Sequence, residues 1–387
     1  MQFCSFDPAD CHFPRPHVPV LPAFPSGMPG LCNTEKYRSA FLGTECASYS
    51  LGRYALTAAL RSLGVAPGKT VLIPAYHCRT MIDPVLHLGA HVMLFPLRQD
   101  LTPDWAALDA CMSGCDRVTA LLLPHYFGFP QPIEAVRAWC KHHQVAYVED
   151  CSHALFGEYD GKLIGSFGDR AIASPYKFFA SENGGLLRGI AVDASLPRPV
   201  SSIREELKAV WRSLEKWAVY RRKRLLHSEV EDSGFPCGTY TIKEDAGISR
   251  QYDPTMENVQ ALRWSRLTLR LSSIDRLSMA RRRNYQAWLD AIATMPGCHP
   301  LFEALPESVV PYMFPLWLDN PERVFFRMKR AGMPIFRWDE LAVSRCEVSG
   351  RARLSLIHLP CHQGIGKREM CWMVEVLRRS LAEQMVA

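Results

Sequence analysis

The chain has 387 residues, 48% hydrophobic and 22% charged, with a formal net charge of +6. That length admits two or three domains with sizeable cores. No apolar stretch approaches the ~20 residues of a membrane span, and the N-terminus lacks the basic start and apolar core of a signal peptide, so a cytoplasmic enzyme is expected. The fourteen cysteines are scattered without a Cys-x-x-Cys pair, and Cys111 and Cys115 lack a matching His/Cys pair, so they read as reduced and structural, with no metal site.

In chain order, residues 1–35 are proline-rich and aperiodic, the pattern of an extended arm wrapped on the body or on a partner. From 36 onward, strand-like runs at 71–74, 92–95, 118–124 and 145–149 alternate with helix-like runs at 54–63 and 132–143. That alternation predicts an α/β domain whose mainly parallel sheet is covered on both faces. Ser50, Leu51, Gly52 and Arg53 precede the first helix, whose N-terminal amides suit an anion, with Gly52 allowing close approach. Arg53 either pairs with that anion or faces solvent.

The run ending at Val148 places Glu149 and Asp150 at a strand's carboxyl end, the edge where open α/β sheets put their ligands. A second short strand, Ala171 to Ala173, ends in Ser174, Pro175, Tyr176 and Lys177. Acid, histidine, serine and lysine in this order suit pyridoxal phosphate. Asp150 keeps the ring nitrogen protonated, His153 bonds the ring oxygen or packs on the ring, and Ser174 donates to phosphate. Lys177 supplies the amine that bonds the aldehyde and then carries protons.

Further on, residues 204–226 carry Leu207, Val210, Trp211, Leu214, Trp217 and Ala218 at helical spacing and end in the basic cluster Arg221 to Arg224. The favoured reading is a helix packing its apolar face on the body, with peripheral membrane contact as the alternative. A long helical pattern from Met256 through Val259, Leu262, Leu267, Leu271 and Ile274 leads to Arg281–Arg283 and connects the cofactor domain to a smaller C-terminal α+β domain. Domain boundaries are expected at 36–250, with a basic helical insertion near 200–230, and at 251–387. There is no internal repeat, helix-turn-helix or zinc-finger pattern, hence no nucleic-acid partner.

These residues resemble the DegT/StrS sugar aminotransferases. EDCSHA, YDGKLIGSFGD, Ser174, Lys177, and Gly184 with Gly185 follow that family's order of acid, turn, serine, lysine and glycine pair. Upstream, SLGRYALTAALRSLGVAPGKTVLIPAYHC and LLLPHYFGFPQPIEAVRAWCKHH are similar to its segments, so residues 36–190 follow the pattern closely and the rest loosely. The resemblance implies a fold-type-I pyridoxal phosphate enzyme with a seven-stranded-type sheet and a homodimer with sites near the subunit interface. Its reaction would move an amino group from a donor such as glutamate to a keto sugar, nucleotide-linked. Three departures stand out. Arg53 replaces a threonine, and Ser174 and Lys177 lie two residues closer than usual. Cys78 occupies the place of the ring-stacking aromatic, which leaves His77, Tyr76 and His153 as candidates.

The C-terminal part is less regular. RARLSLIHLPCHQGI resembles a family segment, while Arg337 stands where sugar-processing members carry an aromatic or histidine. Arg337 would grip a donor carboxylate or pair with Asp339 or Glu340. GISRQYDPTM offers Arg250 and Tyr252 in place of the segment that reaches across the dimer. A pyridoxal enzyme acting on a non-sugar or carboxylate-bearing ketone, and a non-catalytic scaffold keeping the fold, are the alternatives.

Overall fold

A computed structural model describes residues 1–7, 13–28, 36–43, 45–113, 117–190, 201–222, 239–244 and 247–382. The order begins with β1 (Gln2–Asp7), β2 (Ala47–Tyr49), α1 (Gly52–Ser62), β3 (Thr70–Pro74), α2 (Arg79–His87), β4 (His91–Phe95), α3 (Trp105–Met112), β5 (Val118–Pro124), α4 (Ile133–His143) and β6 (Ala146–Asp150). It continues with β7 (Glu158–Tyr159), β8 (Lys162–Leu163), β9 (Arg170–Ala173), β10 (Gly185–Arg188), α5 (Ile203–Arg222), β11 (Thr239–Glu244), α6 (Arg263–Arg270) and α7 (Ile274–Ile292). The C-terminal region adds β12 (Cys298–Pro300), β13 (Met313–Leu318), α8 (Pro321–Arg330), β14 (Leu341–Ala342), α9 (Glu347–Ser355), β15 (Leu356–Pro360) and α10 (Lys367–Ala382).

Among the described residues, one seven-stranded sheet runs in the order β2-β10-β9-β6-β5-β3-β4. From β9 to β4 neighbouring strands are parallel, while β10 is antiparallel to both β9 and β2. Side-chain alternation divides each central strand between two cores. Leu72, Leu121 and Leu123 join the core that α3, α4 and the C-terminal region cover; Val71, Ile73, Ala120 and Leu122 join the one under α1 and α2. The chain leaves β3 toward β4 on one side and returns with β5 on the other. The carboxyl ends of β3, β5 and β6 therefore flank the point where strand order reverses, where such sheets leave a crevice. A second layer, the antiparallel sheet β12-β13-β15 with α7 to α10, closes over that crevice.

Residues 13–28 of the arm run along the C-terminal region, where His17 N–H donates to Gly332 O and His362 Nε2 bonds Pro19 O. Residues 8–12 and 29–35 of the arm lie outside the described set. Gln2–Asp7 is a strand rather than irregular, paired with β11 and β14.

Two further expectations change. The long helical pattern from Met256 is α-helical only from Arg263 and divides into α6 and α7, because Ser273 caps the second helix, accepting a bond from Arg276 N–H, while Ser272 closes the first. Residues 281–283 lie inside α7. The second change concerns α5, which does not bury its apolar stripe. Ile203, Leu207 and Trp211 are 81%, 66% and 70% exposed, and the helix meets the body through Ala209, Ser213, Glu206 and Lys216. Lys223 and Arg224 of the basic cluster lie outside the described residues. The described cysteines are all free, and among the described residues no helix is long and apolar enough to cross a membrane.

Candidate functional site

A cleft opens at the strand ends. Gly52, Arg53, Cys78, Asp150, Ser152, His153, Ser174, Lys177 and Trp338 all face it. Four backbone features bring them together. α1 begins at Gly52 with no side-chain cap and no acid in its first turn, so its leading amides and positive dipole end point to the cleft uncompensated. β6 delivers Asp150 at its last residue, where Asp150 Oδ1 accepts the Ser152 N–H at 2.8 Å. β9 ends one residue before Ser174, whose hydroxyl donates to Ser152 Oγ at 3.1 Å. A single 3-10 turn, Pro175–Lys177, started by proline, then presents Lys177 while Phe178 and Phe179 anchor the following chain in the core.

Glycine is required where these parts meet. A Cβ on Gly52 would lie 2.3 Å from Ser174 Oγ, and one on Gly185 would lie 2.3 Å from the carbonyl of Leu51 and 2.7 Å from Gly52 N. The glycine pair thus lets β10 cross directly over the start of α1, where Gly184 N–H donates to Ser50 O at 2.8 Å.

His153 is 6% exposed and stacks on Tyr312, ring centroids 4.4 Å apart, with Trp338 at 5.6 Å. Phe127 N–H approaches its Nδ1 at 3.5 Å, which leaves Nε2 as the protonated nitrogen. Burial, then the neighbouring Lys177 charge and His358, hold His153 well below the ordinary histidine range, so the ring is neutral at pH 7. Lys177 Nζ lies 5.4 Å from the Tyr312 ring centroid. Its carbonyl accepts from Arg281 at 2.8 Å, and the same buried guanidinium also binds the carbonyls of Phe178, Pro311 and Tyr312 and the Gln363 side chain. Arg281 thereby ties the lysine turn to the start of β13.

Glu149, next to Asp150, faces away from the cleft. Its carboxylate accepts N–H bonds from Gly165, Phe167 and Gly168 and a bond from His125 Nε2. Burial alone would raise its pKa, but His125 and the amides outweigh that and hold it below the usual carboxylate value. Glu149 therefore fixes the glycine-rich turn that leads into β9. With Cys151 these two residues have ligand atoms within 4.8 Å of one another, yet His125 Nδ1 is also taken, by Gln131 N–H, and the group is a hydrogen-bond hub rather than an open metal site.

Other anticipated residues lie elsewhere. His77 is fully buried and outside the cleft wall; Nδ1 donates to Cys78 O and Nε2 accepts from Ala342 N–H, so it does not offer the stacking face expected of it. Tyr76 is likewise buried, bonding His358 Nε2 at 2.9 Å. Arg337 lies outside the cleft wall too, donating to Asp339, Leu354 O and the Tyr240 hydroxyl and stacking 4.0 Å from the Phe325 centroid. Arg250 is exposed and outside the cleft. Arg53 faces the cleft, but its guanidinium binds Gln251 O. Sequence reasoning did not single out Trp338, Ser152 or Arg281. Ser152 sits two residues after the key acid and was within reach of a local argument; Trp338 and Arg281 arrive from more than 100 residues away.

The donors and acceptors fit a phosphorylated pyridine aldehyde. Amides and two hydroxyls gather at one end, a buried carboxylate stands at the strand edge, and an amine and aromatic walls lie between.

Comparison with known proteins finds related sequences and folds. Residues 33–196 match the model of the DegT/DnrJ/EryC1/StrS aminotransferase family. UDP-N-acetyl-3-dehydro-alpha-D-glucosamine 3-aminotransferase of Acidithiobacillus ferrooxidans is 30% identical over 173 residues, covering 42% of this chain and 43% of that protein. The chain spans about half the length of the curated relatives it matches. Among solved structures, the aminotransferase TlmJ from Streptoalloteichus hindustanus superposes with a TM-score of 0.62 at 18% identity over 88% of this chain and 87% of that one. The PMP form of the sugar aminotransferase Spr1654 from Streptococcus pneumoniae, described as putative, gives 0.60 at 15% identity over 94% and 99%. The fold is that of these solved structures.

Proposed function

We propose, from the match of residues 33–196 to the DegT/DnrJ/EryC1/StrS aminotransferase family model, that this chain is a pyridoxal-phosphate-dependent aminotransferase. It moves an amino group from an amino acid, glutamate in the first instance, to a keto sugar carried on a nucleotide. It works in the cytoplasm as a homodimer. The observation that carries this reading is the convergence of Lys177, Asp150 and the uncapped start of α1 on one cleft. The sugar acceptor is supported by the name of the Acidithiobacillus relative.

The chemistry that pyridoxal phosphate supplies when bound is an electron sink for the substrate carbon. The chain's own residues do the rest. Asp150, oriented by the Ser152 N–H, would hold a proton on the ring nitrogen by ion pairing. The α1 amides with the Ser152 and Ser174 hydroxyls hold the phosphate. Lys177 would hold the aldehyde end of the cofactor, and its Nζ would take a proton from the substrate carbon and return it. His153, neutral with Nε2–H, donates a hydrogen bond or packs against the ring, and Trp338 with Tyr312 walls off water. Arg337 is already engaged by Asp339, Leu354 O and Tyr240, which disfavours the alternative built on its grip of a carboxylate.

Borohydride treatment of the protein incubated with pyridoxal phosphate, followed by peptide mapping, tests the site. The label is expected on Lys177 and absent from a folded Lys177→Ala variant, whose turnover falls roughly 10⁴-fold or more. Label on another lysine overturns the assignment. Adding nucleotide-linked keto sugars or 2-oxo acids to the amine-loaded protein, while following the visible band, separates the two acceptor classes.

A further inference from the structure

The segment α5 docks with the wrong face for a simple packing helix. Its contacts to α6 and Glu182 are polar or small, while Tyr220 near its end meets Arg15 of the arm. Glu206 accepts the N–H groups of Arg263 and Trp264 at the start of α6, Ser213 bonds Glu182 and the Trp264 indole, and Lys216 pairs with Glu182 at 2.9 Å. Ile203, Leu207, Trp211 and Leu214 share a stripe about 130° around the helix from these contacts, and all four are exposed, Leu214 by 42%. Leu267 on α6 is 44% exposed beside them, so the apolar surface continues across both helices. Scattered exposed leucines need no explanation, but a contiguous stripe with a tryptophan at its centre does.

Charge says what covers it. α5 carries six lysines and arginines against three glutamates, and α6 carries three arginines and no acid. Arg204, Lys208 and Arg212 follow one edge of the stripe, with Lys208 paired to Glu205 at 2.8 Å; Arg263, Arg266 and Arg270 border the other. A two-fold contact with a second copy would press this basic rim against itself, an arrangement that like charges oppose. A surface of anionic headgroups over acyl chains satisfies both features at once, and tryptophan with arginine beside an apolar stripe is the composition of helices that lie in that interface.

We propose that the α5–α6 face docks the protein onto an anionic lipid bilayer surface, with Leu207 and Trp211 entering the acyl boundary and the flanking arginines meeting headgroups. This goes beyond the aminotransferase reading and does not depend on it, since none of these residues faces the cleft.

Flotation of the full chain with vesicles tests it. Vesicles of equal phosphatidylcholine and phosphatidylglycerol should retain at least about tenfold more protein than phosphatidylcholine alone, and raised salt should release it. Tryptophan fluorescence should shift to the blue on binding. The Leu207→Glu/Trp211→Glu variant should lose about tenfold in retention or more while keeping its melting temperature and its borohydride label. The proposal is overturned if anionic vesicles retain no protein, if the variant binds undiminished, or if the variant changes only from dimer to monomer in sedimentation, which would assign the face to a second copy.

Discussion

Around the cleft, Asp150, Ser174 and His153 are 3%, 3% and 6% exposed and each has a polar neighbour holding it in place, whereas on the α5–α6 flank Ile203 and Trp211 are 81% and 70% exposed. One region buries polar groups, which is costly unless each is satisfied. The other exposes apolar groups, which forgoes the stabilisation burial would give. Both depart from what folding alone favours, in opposite directions. A polar cluster held in the dark suits a small charged ligand that enters; an apolar stripe held in the light suits a large surface that arrives.

The largest test of this contrast is pH. Burial, first of all, holds His77 at about 4 and His358 and His362 at about 3, against about 6.5 in the unfolded chain. Below pH 6.5 the unfolded chain binds these protons and the folded one does not, so stability present above that pH is lost as pH falls toward 4 and then 3. Each histidine contributes roughly 2 kcal/mol of loss between pH 7 and pH 5. Urea unfolding at the two pH values should show a drop of several kcal/mol with proton uptake, and an unchanged midpoint would break the claim that these buried histidines stay neutral in the folded chain.

Next in size is Arg281→Met. Removing the guanidinium strands the carbonyls of Lys177, Phe178, Pro311 and Tyr312, and the expected cost is about 3 kcal/mol. If Arg281 positions the lysine turn, variant protein that remains folded should also trap pyridoxal phosphate more slowly with borohydride. Normal trapping by a destabilised variant would confine Arg281 to stability.

Gly185→Ala is the smallest of the three. Its Cβ would strike the Leu51 carbonyl, costing about 1–3 kcal/mol and weakening pyridoxal phosphate binding at the start of α1, as thermal unfolding and fluorescence titration would read. Gly350→Ala, in α9 with open space around it, serves as the control and should leave stability unchanged or raise it by up to about 1 kcal/mol.

Much of the architecture is local in origin and was legible before folding. Near-continuous apolar runs at 71–74 and 118–124 specify strands with two covered faces, and the helix-like runs between them impose parallel order. Once Val145 to Val148 is a central strand, Asp150 must arrive at the ligand edge, and Lys177 follows by the same logic from the end of the next strand. Partners distant in sequence were not legible. Trp338 reaches the cleft, Arg281 clamps the lysine turn, and Arg337 spends its charge on Asp339 and Tyr240, each through packing between segments at least 90 residues apart in the case of Arg281, Trp338 and Tyr240. Periodicity also located the apolar stripe of α5 but not the direction it faces, since Glu206, Ser213 and Glu182 set that rotation. A residue's own neighbours along the chain decide what kind of element it enters and at which end it stands. Which way that element turns, and what meets it from afar, is decided only when whole faces compete for burial and buried charges for partners.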